Sequence, residues 1–423
     1  MSKPLVVQKY GGTSVASAER ILICARRTAR LVRAGHRAVV VVSAMGDATD
    51  DLIALAQQVN PRPPERELDM LLATGEQVST ALFTMALEGL GVSAAGFTAH
   101  QVGIKTDGVF TRARITGIDA ARVRAALDAG KTCVVAGFQG VNESMDVTTL
   151  GRGASNITAV ALAAVLGAER CEILTDVDGI YTADPRLVPD ARRLERISHE
   201  EIMELASMGA RVMQTRTVEL AKKHNVKLLV AASLTEGPGT LICQEESAME
   251  EVMVSGLVLN ADEAKVTVKA VRDEPGVASA IFEHLAEKHV NVDMIVQNVS
   301  GEEGRTDVTF TVDRADLRAA VEAAKSLVAK GVARAVVADE GIAKLSAVGL
   351  GMRTHAGVAA KMFKALAAER INIQMISTSE IKISVVIAES DGARAVKALH
   401  RAFELASPPA RKAPKGSSKG KKS

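Results

Sequence analysis

Residues 146–156, DVTTLGRGASN, set Arg152 between two glycines, with hydroxyls at Thr148, Thr149 and Ser155. An apolar run at 133–138 (CVVAGF) leads towards them, and an alanine-rich helical run at 157–167 follows. A strand–loop–helix junction offers free backbone N–H groups and the positive end of a helix dipole to an anion. A guanidinium there adds a planar fork for a carboxylate or phosphate. A surface turn ahead of a core helix would carry the same glycines. Lys9, in KYGGTS, is a compact cation beside glycines that let backbone approach a phosphate, although GxxxxGK[ST] is absent. Glu76, in ATGEQVS, could hold an ammonium group, or be a solvated charge on a helix face. Asp176 and Asp178, in TDVDGIYTADPR, could face a sugar, an amine or Mg²⁺, or cap the turn at Gly179.

The elements that must position these residues alternate. Strands are expected at Leu5 to Gln8, Val39 to Ser43, Ser93 to Thr98, Cys133 to Phe138, Cys171 to Thr175 and Val226 to Ala231. The run VVVVS is continuously apolar, as a strand covered on both faces requires. A helix near Ser17 to Arg33 gathers Ile21, Ala25, Thr28 and Val32 on one face. This alternation points to an α/β domain with a mainly parallel sheet, whose ligands gather beyond the carboxyl ends of the strands. Four strand candidates lead into polar, flexible residues, so four loops are expected to converge on one rim. Ser198-His199-Glu200-Glu201 reads as a capping box and Gly209 as a helix stop.

Composition excludes several classes. The chain has no Trp, two Tyr and eight Phe, too few stacking platforms for single-stranded nucleic acid. Its net charge of +2 hides six basic residues among the last thirteen; without them 46 basic face 50 acidic residues. The Pro-, Gly-, Ser- and Lys-rich tail, 407–423, is expected to be disordered; it could touch nucleic acid or an acidic surface, but a solubilising extension is the favoured reading. Four scattered cysteines without CxxC suit buried thiols in a reducing cytoplasm, and the histidines lack metal-ligand spacing. Neither a signal peptide nor a membrane span is expected.

Beyond Pro238-Gly239 the pattern changes to a repeat with a spacing of 81 residues. Gly276-Val277-Ala278 matches Gly357-Val358-Ala359, and Val290-Asn291-Val292 matches Ile371-Asn372-Ile373. Ala264-Lys265 and Ala343-Lys344 precede them, offset by 79. Each copy reads strand, glycine loop, amphipathic helix, strand. The expected domains are 1–245, a linker at 246–262, α+β units at 263–340 and 341–406, and the tail.

KYGGTSV, SAMGDATD, VAGFQGVN, TTLGRGAS, TDVDGIYTADPR and the Gly-Val-Ala repeats, in this order, closely resemble the aspartokinase family, from about Leu5 to Leu405. The resemblance implies an amino-acid-kinase fold, a three-layer αβα catalytic domain with a mainly parallel open sheet, followed by two interleaved ACT domains. It implies transfer of the γ-phosphoryl group of ATP, carried with Mg²⁺, to the side-chain carboxylate of aspartate. Lys9 would steady that group, with Tyr10, Gly11 and Gly12 beside it. Arg152, with Gly153, Ala154 and Ser155, would clamp the substrate α-carboxylate, Glu76 would take its ammonium, and Ser43 and Thr49 would line the pocket. Thr175, Asp176, Tyr181, Arg186, Arg211 and Val212 would hold the nucleotide.

The family usually reads GRGGSD, so Asn156 stands where an aspartate treated as catalytic is usual, and Arg211 where a lysine is usual. Effector positions implied are Asp273, Gly276, Val277, Asn291, Asp293, Gln297 and Asn298 in the first repeat. In the second they are Val358, Ala359, Asn372, Ile373, Ser379 and Glu380. Lysine with threonine are the expected effectors, and oligomers through the ACT pair are expected, with an internally started regulatory subunit possible at Met249 or Met253. The alternative is a catalytically weak relative that senses amino acids.

Overall fold

The computed structural model describes residues 3–151, 153–209, 213–244, 254–299, 304–353 and 357–407. They form two compact units, Met1–Ile180 with Arg193–Glu246, and Tyr181–Arg192 with Ser247–Ser423.

In the first unit the strands are β1 (Leu5–Tyr10), β2 (Arg37–Val42), β3 (Ala94–Phe97), β4 (Ile104–Thr106), β5 (Ile115–Ile118) and β6 (Thr132–Ala136). Then come β7 (Gln139–Val141), β8 (Val147–Thr149), β9 (Arg170–Thr175), β10 (Arg196–Ser198), β11 (Leu228–Ala232) and β12 (Thr240–Cys243). The helices are α1 (Ala18–Arg33), α2 (Ala48–Val59), α3 (Glu65–Gly89), α4 (Ala99–Val102), α5 (Ala121–Asp128), α6 (Ser155–Leu166), α7 (His199–Ser207) and α8 (Thr215–Lys223). An eight-stranded sheet runs β10-β12-β11-β9-β1-β2-β6-β3. From β11 to β3 every neighbouring pair is parallel, with β1 between β9 and β2.

Val40 and Val42 join the core beside Ile21, Ala25 and Phe83, and their neighbours Val39 and Val41 are equally buried. The sheet is therefore covered on both faces, as its continuous apolar strands demand. Ser17 caps α1 by accepting the Arg20 N–H. Ser198 and Glu201 form the reciprocal capping box that opens α7, and Gly209 follows that helix at φ 102°.

One local expectation is revised. The chain does not pass from β6 straight into the glycine loop; it first makes the β7–β8 hairpin, which joins a second sheet of order β5-β4-β7-β8. Strands of three residues carry too little periodicity to read from sequence. The hairpin turn is tied by the Asp146 N–H donating to Asn142 Oδ1 at 2.9 Å.

The second unit contains β13 (Gly256–Asn260), β14 (Glu263–Arg272), α9 (Val277–Glu287), β15 (Val292–Val299), β16 (Arg305–Asp313), α10 (Leu317–Ala329) and β17 (Ala335–Asp339). It continues with β18 (Ile342–Val348), α11 (Val358–Ala368), β19 (Met375–Thr378), β20 (Lys382–Ala388) and α12 (Gly392–Ala402). Its sheets run β15-β16-β14-β17 and β13-β18-β20-β19. The linker expected over 246–262 is thus too long: Gly256–Asn260 is a strand, paired antiparallel with β18. Residues 246–253 lie outside the described residues, as do Met249 and Met253 within them, and so does the tail from 408. Gly276 and Gly357 open α9 and α11 at φ 93° and 100°, the left-handed conformation that glycine adopts without strain. Segment 181–192 packs Ala183 and Val188 into the core of the second sheet, and Thr182 Oγ1 lies 3.0 Å from His400 Nε2.

Within the first unit, α3 approaches the loop after β2 closely at Gly75, where an added Cβ would come within 2.8 Å of the Ala44 Cβ. Gly75→Ala is expected to lose about 1–3 kcal/mol to overpacking, outweighing the ~1 kcal/mol helix-propensity gain. The Tm of the first unit, followed by calorimetry, should fall by a few degrees; an unchanged or higher Tm would mean that Ala44 yields freely.

Candidate functional site

Parallel pairing places the carboxyl ends of β1, β2 and β9 on one rim, and backbone bonds stitch the loops beyond them. Ser43 N–H donates to Tyr10 O at 3.1 Å, Gly46 N–H to Gly12 O at 3.1 Å, and Ser233 N–H to Thr175 O at 2.7 Å. Ser14 Oγ donates to Ser233 Oγ at 2.8 Å. Gly12 sits so close that a Cβ would meet the carbonyls of Ala44 and Gly46 at 3.0 and 3.1 Å. The Gly11 N–H is engaged with Leu174 O at 3.4 Å.

Lys9 lies near the end of β1 with 8% of its surface exposed. Burial lowers its pKa to about 8, with the Asp176 carboxylate among the charges pulling the other way. Its Nζ would be 3.3 Å from a Cβ on Gly11, so glycine there leaves room around the ammonium. The next residue points to the opposite face, as strand alternation requires. The side chain of Tyr10 is consequently core: fully buried, its hydroxyl 3.2 Å from Cys24 O and its ring 5.3 Å from that of Phe83. The expected nucleotide contact of Tyr10 is limited to its backbone.

Glu76 is buried on α3, with 3% exposure, so it is not a solvated helix charge. Its Oε1 accepts the Ala44 N–H at 3.0 Å, whereas Oε2 is buried without a hydrogen-bond partner among the described residues. Burial raises its pKa to about 7 against the opposing Ala44 bond. Buried polar atoms are normally paired, so an orphaned carboxylate oxygen points to a cation that completes the site. Nearby, Ser79 Oγ donates to Ser43 O at 2.7 Å and Ser43 Oγ to Ser155 Oγ at 3.0 Å. That last bond brings the start of α6 to the loop after β2.

The glycine loop enters α6 through Gly151 and Gly153 at φ 88° and 74°. A side chain on Gly153 would also collide with Gln214. Ala154 and Ser155 are buried, and Asn156 in the first turn leaves Oδ1 buried without a partner among the described residues. Thr49 lies in the first turn of α2. Arg152, Arg211 and Val212 lie outside the described residues. Thr175 Oγ1 donates to Asp176 Oδ1 at 2.9 Å. Tyr181 and Arg186 belong to the segment that packs with the second unit, where Arg186 is exposed and forks Asp184 with bonds of 3.0 and 2.7 Å.

In the second unit Asp293 is engaged by the ammonium of Lys344, a 2% exposed lysine that also pairs with Glu263. An effector amine at Asp293 would therefore compete with Lys344. The matching position of the other repeat is Gln374, which contacts Lys265. Gly276, Asp273, Asn291, Gln297, Asn372, Ser379 and Glu380 are exposed, Val277, Ala359 and Ile373 half-buried, and Val358 buried. Asn298 is described through its backbone, which pairs with Asp307.

Sequence reading passed over Asp69 and Ser79, which share the buried stripe of α3 with Glu76. Their spacing, seven residues before Glu76 and three after, is the signal that could have found them.

The amino acid kinase family pattern matches residues 4–232, and the ACT domain pattern matches 258–326 and 345–403. The chain is 54% identical to the aspartokinase of Pseudomonas aeruginosa over 406 residues, 96% of this chain and 98% of that one. It is 52% identical to the aspartokinase of Corynebacterium glutamicum over 405 residues, covering 95% and 96%. Among solved structures, Escherichia coli aspartokinase III in complex with aspartate and ADP aligns with a TM-score of 0.72 at 27% identity, over 94% of this chain and 99% of that one.

The burial of Glu76 has a measurable consequence. Its folded pKa of about 7 exceeds the ordinary 4.5, so the native state holds the proton more tightly. That contribution is complete below pH 4.5 and is lost as pH rises to about 7, on the order of 3 kcal/mol. Ligand-free Glu76→Gln should match the parent in Tm at pH 4.5 and exceed it by several degrees at pH 8. Parallel melting curves across that range would instead place the carboxyl in water.

Proposed function

The chain belongs to the aspartokinase family, and we propose that it moves the γ-phosphoryl group of ATP onto the β-carboxylate of L-aspartate. The product is 4-phospho-L-aspartate, the first intermediate towards lysine, threonine and methionine. The observation that carries the site assignment is a buried Glu76 oxygen without a partner among the described residues, on a rim that also holds Lys9. A substrate ammonium against Oε2 satisfies the carboxylate and returns its pKa to the ionised range.

The nucleophile is itself a carboxylate, ionised at neutral pH, so no general base is required and catalysis is positioning plus charge neutralisation. Lys9 faces the transferring phosphoryl group, and Gly12 keeps the loop backbone close to it. Ser43, Thr49 and Ser155 line the aspartate pocket, with Arg152 and the Gly153–Ala154 backbone on the α-carboxylate. Thr175, Asp176, Tyr181, Arg186, Arg211 and Val212 hold the nucleotide, and magnesium arrives on its phosphates.

Asn156 keeps hydrogen-bonding capacity but brings no charge, and Arg211 keeps a cation with a different reach. Losing one charge-assisted interaction costs about 1.5–3 kcal/mol, and ~1.4 kcal/mol is tenfold in rate. Turnover is therefore slowed and not abolished. A sensing protein without turnover is not favoured beside aspartokinases more than half identical over nearly the whole chain.

For regulation, lysine and threonine are the proposed effectors, bound by the repeat loops around Gly276 and Gly357, with oligomers formed through the ACT pair. Escherichia coli aspartokinase III is also known in complex with lysine and aspartate, at a TM-score of 0.73 and 27% identity to this chain. An effector inhibits by binding one conformational state better than another.

Hydroxamate trapping with MgATP should show aspartyl phosphate well above background, and Asn156→Asp should raise the rate about tenfold or more. No product, or an unresponsive Asn156→Asp, would remove the corresponding assignment. The free-enzyme profile of kcat/KM for aspartate should be bell-shaped, with limbs near pH 7 from Glu76 ionising and near pH 8 from Lys9 losing its proton. Glu76→Gln should abolish the acid limb. Titration with lysine and threonine, singly and together, should give the strongest inhibition jointly; activity indifferent to both would exclude the regulatory assignment.

A further inference from the structure

A second buried carboxylate lies on α3, seven residues before Glu76. Asp69 is fully buried and spends its oxygens on one neighbourhood. Oδ2 accepts the N–H groups of Thr111 and Thr149 at 2.9 and 2.8 Å, and Oδ1 accepts the Thr149 hydroxyl at 2.6 Å. Thr149 O in turn accepts the Ala113 N–H at 2.9 Å, and the Leu150 N–H donates to Phe138 O at 2.8 Å. From α8, Arg216 donates to Leu150 O and Ala113 O at 3.2 and 3.1 Å. Residues 149 and 150 are thus gripped from two helices immediately before Gly151, where the glycine loop begins.

Seven residues are nearly two turns, so Asp69 and Glu76 project from one stripe of α3 about 10 Å apart along its axis. Glu76 holds the amide of Ala44, in the loop after β2; Asp69 holds the residues that lead into the 151–155 loop. An amino acid recognised by both walls must span the gap that this helix sets. We propose that Asp69 is a positioning residue for aspartate binding, fixing Thr149 and Leu150, the chain that enters Gly151, at the distance from Glu76 that the bound substrate spans. This rests on the aspartokinase reading of the site. Both Asp69 oxygens are engaged by Thr111 and Thr149, so its proposed effect on substrate runs through Thr149.

The substitutions separate geometry from charge. Asp69→Asn can keep all three contacts, its oxygen taking the two N–H groups and its NH₂ donating to a reoriented Thr149 hydroxyl. Asp69→Glu keeps the charge but pushes the loop outward by one methylene, and a ~1 Å misplacement can cost up to about a hundredfold. Asp69→Asn should leave the KM for aspartate within about threefold of the parent. Asp69→Glu and Asp69→Ala should raise it about tenfold or more while the KM for ATP stays within about twofold. Thr149→Val should move the KM for aspartate in the same direction by less.

Equal rises in both KM values, or an aspartate KM unmoved in Asp69→Glu, would overturn the proposal. If Asp69→Ala fails to fold, Asp69→Glu and Thr149→Val decide it. Hydrogen exchange at the Thr111 and Thr149 amides provides a readout independent of turnover. Protection should be kept in Asp69→Asn and lost in Asp69→Glu, and unchanged exchange in Asp69→Glu would refute the clamp. A parent protein that turns over no aspartate would instead remove the functional reading, while amide exchange still tests the clamp.

Discussion

A carboxylate held out of water, with one oxygen satisfied and the other without a partner among the described residues, is the constraint around which the first unit is built. Burying the Glu76 carboxylate costs folding free energy that its hydrogen bond to Ala44 only partly offsets. The surroundings hold that arrangement by close approach: Gly75 against Ala44, Gly12 against the carbonyls of Ala44 and Gly46, and Ser79 on Ser43 O. Every one of these contacts joins α3 or the loop after β1 to the loop after β2. Lys9, also buried and with its pKa lowered by burial, is the opposite charge of the same rim. Both groups are destabilising until ligands of complementary charge arrive, which is how a binding site keeps its affinity.

The sheet makes that rim. Because β9, β1 and β2 are parallel neighbours, their carboxyl ends and following loops fall together. The hairpin β7–β8 brings the glycine loop in from the side, and the bond between Ser43 and Ser155 closes the circuit. Side-chain alternation then sorts Lys9 from Tyr10, one to the site side and one to the core beside Phe83.

In the second unit duplication set up two equivalent positions, and substitution made them different. Lys344 and Lys265 occupy matching places, as do Asp293 and Gln374. The first lysine is sealed between Glu263 and Asp293, whereas the second meets Gln374 and lies 3.4 Å from Asp339. β13, ahead of the first repeat in the chain, supplies the edge of the second repeat's sheet. The second repeat's sheet is therefore incomplete without chain from ahead of the first, whereas the first repeat's sheet is built from its own four strands.

The alternation of apolar strands and amphipathic helices, the capping box at Ser198, the glycines before α9 and α11 and the 81-residue repeat were all legible in the sequence. They depend on local periodicity and backbone conformation, which neighbouring residues determine. The motif residues Lys9, Glu76 and Ser155 were legible as candidates for the same reason. What only tertiary structure decided was burial and pairing between distant segments. Glu76 and a solvated glutamate look alike in sequence; burial and the bond from Ala44, 32 residues away, tell them apart. Asp69 drew no attention because its partners lie 42 and 80 residues along the chain. The 256–260 strand read as linker because its ladder partner, β18, lies beyond the whole first repeat. Desolvation and long-range hydrogen bonds belong to the folded arrangement, so no window of sequence contains them.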